Sequence, residues 1–291
     1  MSTQGVGYCW GDNGSGLGDG HFGELGDGTT IQHPAPTPVS GGLVFKSLSA
    51  GFDSCGLTTA GAAYCWGRND YGEVGDGTTV DRLVPTAVSG GHVFTQLWTA
   101  GSQSCGLTAA GAGYCWGLNA GGEVGDGTTT TRLVPTAISG NLVFTTLVGG
   151  MFHTCGLTAA GVAYCWGDNT TGDIGDGTTT ARLNPTLVAG GLSFVSLTAG
   201  AHTCGLTSAG AAYCWGANES GELGDATTTQ RLAPTLVAGG NVFAGITAGH
   251  QHTCGWTSEG AVYCWGLDGW WQLGTGGTVR TNRSVPTLVV P

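Results

Sequence analysis

Residues Cys105 to Pro135 read CGLTAAGAGYCWGLNAGGEVGDGTTTTRLVP, and the whole chain is assembled from copies of this stretch. The same words restart at Cys55, Cys155, Cys204 and Cys254. The tetrapeptide YCWG occurs six times, with its Trp at 10, 66, 116, 166, 215 and 265, so the spacings are 56, 50, 50, 49 and 50 residues. A fixed period of this size marks a solenoid, a propeller or an array.

The first half of the stretch is a β-hairpin. Two short apolar runs flank the loop TTAGA (58–62), which recurs as TAAGA, TAAGV, TSAGA and TSEGA. Its Gly is always third of the three loop residues between the paired ends (Gly61, Gly111, Gly161, Gly210, Gly260). A type I turn closed by a left-handed residue requires Gly at that position. The register then runs Thr58 with Ala62, Leu57 with Ala63 and Cys55 with Cys65. Cysteines opposed on a non-hydrogen-bonded rung lie within reach of a disulfide. Five pairs follow: Cys55–Cys65, Cys105–Cys115, Cys155–Cys165, Cys204–Cys214 and Cys254–Cys264. Zinc is the rival reading, but a nine-residue gap lacks the short CxxC clips and His partners of structural sites. In the loop-entropy model each bridge contributes about 2–3 kcal/mol. Cys9 is the eleventh, odd cysteine and is expected to be an unpaired thiol.

Each repeat holds four strand-sized words; in the second they are 44–51, 53–58, 62–67 and 83–88. The middle two are apolar on both faces, as strands inside stacked sheets are. Four short antiparallel strands per repeat of about 50 residues is the propeller pattern. The expected fold is all-β: a β-propeller with about six blade positions, one of them incomplete, forming a single domain over 1–291. Its units run about 5–40, 41–90, 91–140, 141–189, 190–239 and 240–290.

The composition narrows the function. Only 9% of residues are charged and the net charge is −11, so nucleic acid is excluded as a partner for want of a basic stripe. The 58 glycines follow no collagen-like period and belong to turns. No apolar run is long enough to span a membrane. Repeated Cys pairs imply an oxidising compartment, extracellular or periplasmic. MSTQGVGYCW is not a signal peptide, so an export signal is expected to have been removed or to lie outside this chain.

The pattern AGxxHTCGLTxxGxxYCWGxNxxGELGDGT resembles the repeat of the regulator of chromosome condensation (RCC1-like) family, over nearly all of residues 5–290. The resemblance implies β-propellers of seven or a similar number of blades that bind protein partners on their faces. Family functions include nucleotide exchange on a small GTPase, chromatin binding and, in a bacterial relative, β-lactamase inhibition. The acidic balance here departs from the chromatin-binding members.

The words are unevenly counted. YCWG and the Pro-Thr strand occur six times, the VFxxLxAG and CGLT words five. The strand at Tyr8–Trp10 and the closing strand at Val285–Val289 are expected to join as half a blade. Three explanations stay open: a fragment of a longer polypeptide, strands donated by a neighbour, or five blades with a frayed remainder. The first unit is also longer, with a doubled GDG phrase in 11–30.

The loop word Glu-x-Gly-Asp-Gly-Thr invites calcium, but each copy supplies only two acids. An Arg in register at 82, 132, 182, 231 and 283 instead predicts a structural contact with Asp76, Asp126, Asp176 and Asp225, and no metal. His153, His202 and His252 share a repeat position that is Asp53 and Gln103 elsewhere, which reads as a hydrogen-bonding slot. No catalytic constellation or cofactor motif is present, so neither an enzyme nor a cofactor is expected. What varies between copies is the loops. Phe52, Tyr71, Met151, Phe152, Trp270 and Trp271 stand there as candidate partner-binding residues, because large aromatics anchor interfaces; for the Trp pair, covering an end blade is the alternative. The expected function is a secreted, non-enzymatic scaffold that engages a protein or glycan through propeller-face loops. The alternative is a structural subunit that assembles with copies of itself by completing its open blade.

Overall fold

A computed structural model describes residues 1–14, 22–276 and 279–290. The first phrase of the doubled GDG loop, Gly18–Gly20, lies outside the described residues. The chain divides into two compact units, residues 1–147 and 148–291.

The first unit opens with β1 (Tyr8–Gly11) and β2 (His33–Pro38), which form a two-stranded sheet. Two four-stranded sheets follow. One contains β3 (Phe45–Ala50), β4 (Asp53–Thr58), β5 (Ala63–Gly67) and β6 (Arg82–Ala87). The other contains β7 (Phe94–Ala100), β8 (Gln103–Thr108), β9 (Gly113–Gly117) and β10 (Arg132–Ala137). After a 3-10 turn at Ser139–Asn141, β11 (Phe144–Gly149) leads into the sheet of β12 (His153–Thr158), β13 (Ala163–Gly167) and β14 (Arg182–Leu187). The second unit continues with the sheet of β15 (Ser196–Ala199), β16 (His202–Leu206), β17 (Ala212–Gly216) and β18 (Arg231–Leu236). Its last sheet is β19 (Gly245–Ala248), β20 (His252–Trp256), β21 (Val262–Gly266) and β22 (Arg283–Leu288). Within each sheet the spatial order is the chain order, an antiparallel meander of the propeller-blade type.

One expectation is corrected. The strand holding Val285 belongs to a complete sheet, with Tyr263 opposite Leu288. The half sheet is instead β1 with β2, Tyr8 facing Pro38 and Cys9 facing Thr37. The reason is local: every YCWG strand pairs with the Pro-Thr strand that follows it in its own repeat, as Cys65 does with Thr86. The two missing words are therefore both absent from the first repeat.

The hairpins carry the expected register. Leu57 faces Ala63 and Cys55 faces Cys65, with Thr58 N–H donating to Ala62 O at 3.0 Å. Gly61 closes the turn at φ +82°. The Gly of each CGLT word has a different cause. A Cβ on Gly56 would lie 2.4 Å from the Phe45 ring, and one on Gly106 would lie 2.6 Å from Phe94. The core forms between successive sheets: Cys55, Leu57, Cys65 and Val74 pack against Phe94 and Trp116 of the next repeat.

Candidate functional site

The longest loop of each repeat, between its third and fourth strands, is built around a buried Asn, replaced in the last repeat by Asp268, whose Oδ1 accepts from Leu273 N–H at 3.2 Å. Asn69 Nδ2 donates to Thr78 O at 3.1 Å and Val80 O at 2.9 Å, while its Oδ1 accepts from Val74 N–H at 2.9 Å. Asp76 Oδ1 accepts from Thr78 N–H and Oγ1, and its Oδ2 accepts from Arg82 Nε at 2.6 Å. The same ion pair recurs as Arg132–Asp126, Arg182–Asp176 and Arg231–Asp225, with His33–Asp27 in the first copy. Against the upward push of burial, the Thr and Arg hydrogen bonds hold the Asp76, Asp126, Asp176 and Asp225 carboxyls below their usual range. These carboxylates are spent on the loop itself.

The loop also clamps the next repeat. Trp116 Nε1 donates to Glu73 O at 2.7 Å, Trp66 Nε1 to Glu24 O at 2.9 Å and Trp215 Nε1 to Asp173 O at 2.9 Å. The Trp residues of the last five YCWG words are fully buried, whereas Trp10 is 59% exposed.

The inner-strand slot is a chain of hydrogen bonds between repeats. Ser104 Oγ donates to Asp53 Oδ2 at 3.0 Å, His153 Nε2 pairs with Thr203 Oγ1 at 2.7 Å, and His202 Nε2 pairs with Thr253 Oγ1 at 2.6 Å. Burial, reinforced by neighbouring histidines, pushes the His202 pKa down to about 3, so this imidazole is neutral. Among the described residues, Asp53, Cys55 and Cys65 cluster closely enough to suggest metal ligation. Their two sulfurs are joined to each other, which removes them as ligands.

All five expected cysteine pairs are bonded, each with Cα atoms 4.1 Å apart. Cys9 is free.

The candidate binding residues fall at one end of their sheets. In an antiparallel meander the first and third connections emerge together, opposite the hairpin turn of the second. Phe52 and Tyr71 therefore share an end of the second sheet, with Arg68 over the Tyr71 ring at 5.9 Å and bonded to Asp70. Met151 and Phe152 occupy the connection between β11 and β12, where Met151 N–H donates to Gly200 O at 2.9 Å. Phe152 is exposed and Met151 half-buried. Trp270, 81% exposed, and Trp271 lie between β21 and β22. Arg280 joins them: its guanidinium sits 5.8 Å from the Trp270 ring and 5.5 Å from the Trp271 ring, and its Nη1 donates to Gly269 O at 2.8 Å. Sequence reasoning had overlooked Arg280, which follows the loop word rather than standing in a variable position. It had also overlooked Trp256, which replaces the Leu of CGLT and is 43% exposed where Leu57 is buried.

The sheets, their clamped loops and their exposed connections define a β-propeller repeat protein of the kind that presents loops to partners. Models of the regulator of chromosome condensation (RCC1) repeat match residues 60–106, 209–256 and 259–291, and a second such model matches 45–73, 145–173 and 195–222. Together these span well over half of the chain, which belongs to the RCC1 repeat family. Among solved structures, human WBSCR16 is similar with a TM-score of 0.79 at 21% identity, covering 90% of this chain and 71% of that one. Yeast RCC1 (Prp20), solved bound to Kap60, is similar with a TM-score of 0.59 at 18% identity, covering 100% and 85%. The ectodomain of the Physcomitrella patens receptor kinase CR4 gives 0.57 at 24% identity, covering 97% and 70%. A search of curated protein sequences finds no match.

Proposed function

We propose that the chain is a secreted, non-enzymatic scaffold that binds a protein partner through the loops at one end of its sheets. The observation that carries this reading is the cluster of Trp270, Trp271 and Arg280. Trp and Arg are the residues that dominate binding energy at protein interfaces. Here a guanidinium already sits over both indoles, so the cluster is ordered before a partner arrives, which lowers the entropy of binding. The same stacking occupies the ring faces a sugar would use, which favours a protein over a glycan. Yeast RCC1 binds Kap60, and a study of the same protein concerns its binding to Gsp1p and histones, so the family scaffold supports protein contacts. With a net charge of −11, this chain is not suited to a phosphate-rich partner. Five disulfides support an oxidising compartment. No helix among the described residues is long and apolar enough to cross a membrane.

The test compares the wild type with Trp270→Ala/Trp271→Ala by quantitative co-purification from secreted proteins, alongside thermal unfolding. Proteins retained by the wild type should be lost from the variant, with the unfolding temperature nearly unchanged. Identical retained sets would sink the reading, and a large stability loss would assign the pair to packing.

A further inference from the structure

In the second to fifth repeats the tenth residue after the Trp of YCWG is an acid: Asp76, Asp126, Asp176 and Asp225. Each is held by the Arg that opens the fourth strand, with Nε to Oδ2 distances of 2.6, 2.6, 2.6 and 2.7 Å. In three of them Nη2 reaches the same oxygen. The last repeat departs from this rule. The tenth residue after Trp265 is Thr275, which carries no charge. Its Arg is kept: Arg283 faces Gly266 across β21 and β22, the register in which Arg82 faces Gly67.

Arg283 is therefore a cation without its carboxylate. It is half-buried, and its Nε is shut off from solvent with no hydrogen-bond partner among the described residues. Asp268, the one acid of its loop, is itself buried and accepts from Leu273 N–H. The preceding repeat fixes the backbone that carries Arg283: Ala226 N–H donates to Ser284 O at 2.8 Å, and a Cβ on Gly221 would lie 2.9 Å from Arg283 O. In the other copies Asp and Arg both belong to one loop and the strand it enters, so adjoining repeats are no source of the missing acid. A buried charged donor without an acceptor is costly, and such a group marks a place for a water or an ion. The charge balance points the same way. Residues 267–283 hold Arg280 and Arg283 against Asp268, whereas in the corresponding loop of every other repeat acids outnumber cations, as Asp168, Asp173 and Asp176 do Arg182.

We infer that Arg283 is the anchor of a carboxylate-binding site, in which an external carboxylate takes the place that Asp76, Asp126, Asp176 and Asp225 fill from within the chain. Its oxygen accepts from Arg283 Nε–H, as Asp76 Oδ2 does from Arg82. A planar carboxylate matches the guanidinium fork, and the four complete loops show this Arg position holding one. The second charge of a phosphate is opposed by the chain's net charge of −11. The site rests on Arg283 and Thr275 and not on the reading of Trp270 and Trp271 as partner anchors. Its ligand chemistry has two sources, a free small acid or the Asp or Glu side chain of a protein.

The chain has seven arginines, so the Nε–H groups give a sparse nitrogen–proton correlation spectrum, in which Arg280→Lys and Arg283→Lys assign two signals by their loss. Sodium formate is titrated into the whole chain at neutral pH against sodium chloride at constant ionic strength. The Arg283 signal should move and saturate, with a half-point on the order of 1–10 mM, the range open to a three-atom ligand. The signal of Arg280, which is exposed, should show no saturable shift. Thr275→Asp supplies the carboxylate from within the loop; it should bring the Arg283 signal to the range of Arg82, Arg132, Arg182 and Arg231 and abolish the formate response. N-acetyl-glutamate amide, which carries a protein-like side-chain carboxylate, separates the sources: saturation like that of formate admits an acidic side chain, and a response to formate alone assigns a small acid. An Arg283 signal that formate leaves in place, or that formate moves equally in Thr275→Asp, would overturn the inference.

Discussion

Replacing Glu73 by Gln should remove a pH dependence that the fold itself builds in. Glu73 is completely buried. Its Oε2 accepts from Tyr71 N–H at 2.8 Å, while its Oε1 is buried without a hydrogen-bond partner. Burial raises its pKa from 4.5 to about 7, despite backbone hydrogen bonds and the nearby Arg68 that favour the charge. Below pH 4.5 folded and unfolded chains both hold the proton, and this group contributes no slope. Between 4.5 and about 7 only the folded state keeps it, so stability falls as pH rises, by about 1.4 kcal/mol per pH unit. Above about 7 the loss is complete, at about 3 kcal/mol. Gln keeps the shape of the protonated acid and has nothing to release. Asp53, pushed well up by its own burial and by the Glu73 charge, adds in the same direction when Glu73 is neutralised. The assay is urea unfolding of wild type and Glu73→Gln from pH 4 to pH 8. The two should be equally stable at pH 4, with the variant ahead by about 3 kcal/mol at pH 8. Parallel profiles across this range would refute the assignment of a buried, mostly protonated carboxyl.

Two further outcomes follow from the repeat. Replacing Cys105 and Cys115 together by Ala should cost about 2–3 kcal/mol for so short a loop, measured by denaturant unfolding against the wild type with all five pairs oxidised. Gly106→Ala should cost about 1–3 kcal/mol and perturb the near-ultraviolet circular dichroism, because the new methyl meets the Phe94 ring at 2.6 Å.

The hairpins were the most legible part of the chain, because a single turn geometry dictates them. Gly fourth in a five-residue word supplies the left-handed residue the turn requires, and the antiparallel rung then opposes the cysteines without further information. The Arg–Asp contacts were also legible, since each pair lies six residues apart in one loop and needs no other part of the fold. The half sheet was misread for a related reason. Counting words showed that two strands are absent, but assigning the remaining strands needed the rule that YCWG pairs forward within its repeat. The turn at Ser2–Val6 escaped notice because Ser-Thr-Gln-Gly-Val departs from Thr-Thr-Ala-Gly-Ala at three of five positions, keeping a hydroxyl residue first and the Gly fourth. Ser2 and Gly5 are the residues the turn uses, one as side-chain acceptor and one for its positive φ.

What no word of the repeat encodes is its own burial. Trp10 and Trp66 sit in identical tetrapeptides, yet one is 59% exposed and the other fully buried. The difference lies in the preceding repeat. Trp66 is covered by the loop that places Glu24 O at 2.9 Å from its Nε1, and a Cβ on Gly26 would already strike the indole. Each repeat thus makes its sheet from its own sequence, while its central Trp is completed by the loop before it. Cys9 follows the same logic on the neighbouring position of the same strand. In every other repeat the bonding cysteine comes from the strand immediately before YCWG, as Cys55 does for Cys65. The tetrapeptide at Tyr8–Gly11 therefore shows what the neighbouring chain supplies to this word elsewhere: Trp10 stays exposed and Cys9 stays a free thiol, where Trp66 is covered and Cys65 is bonded.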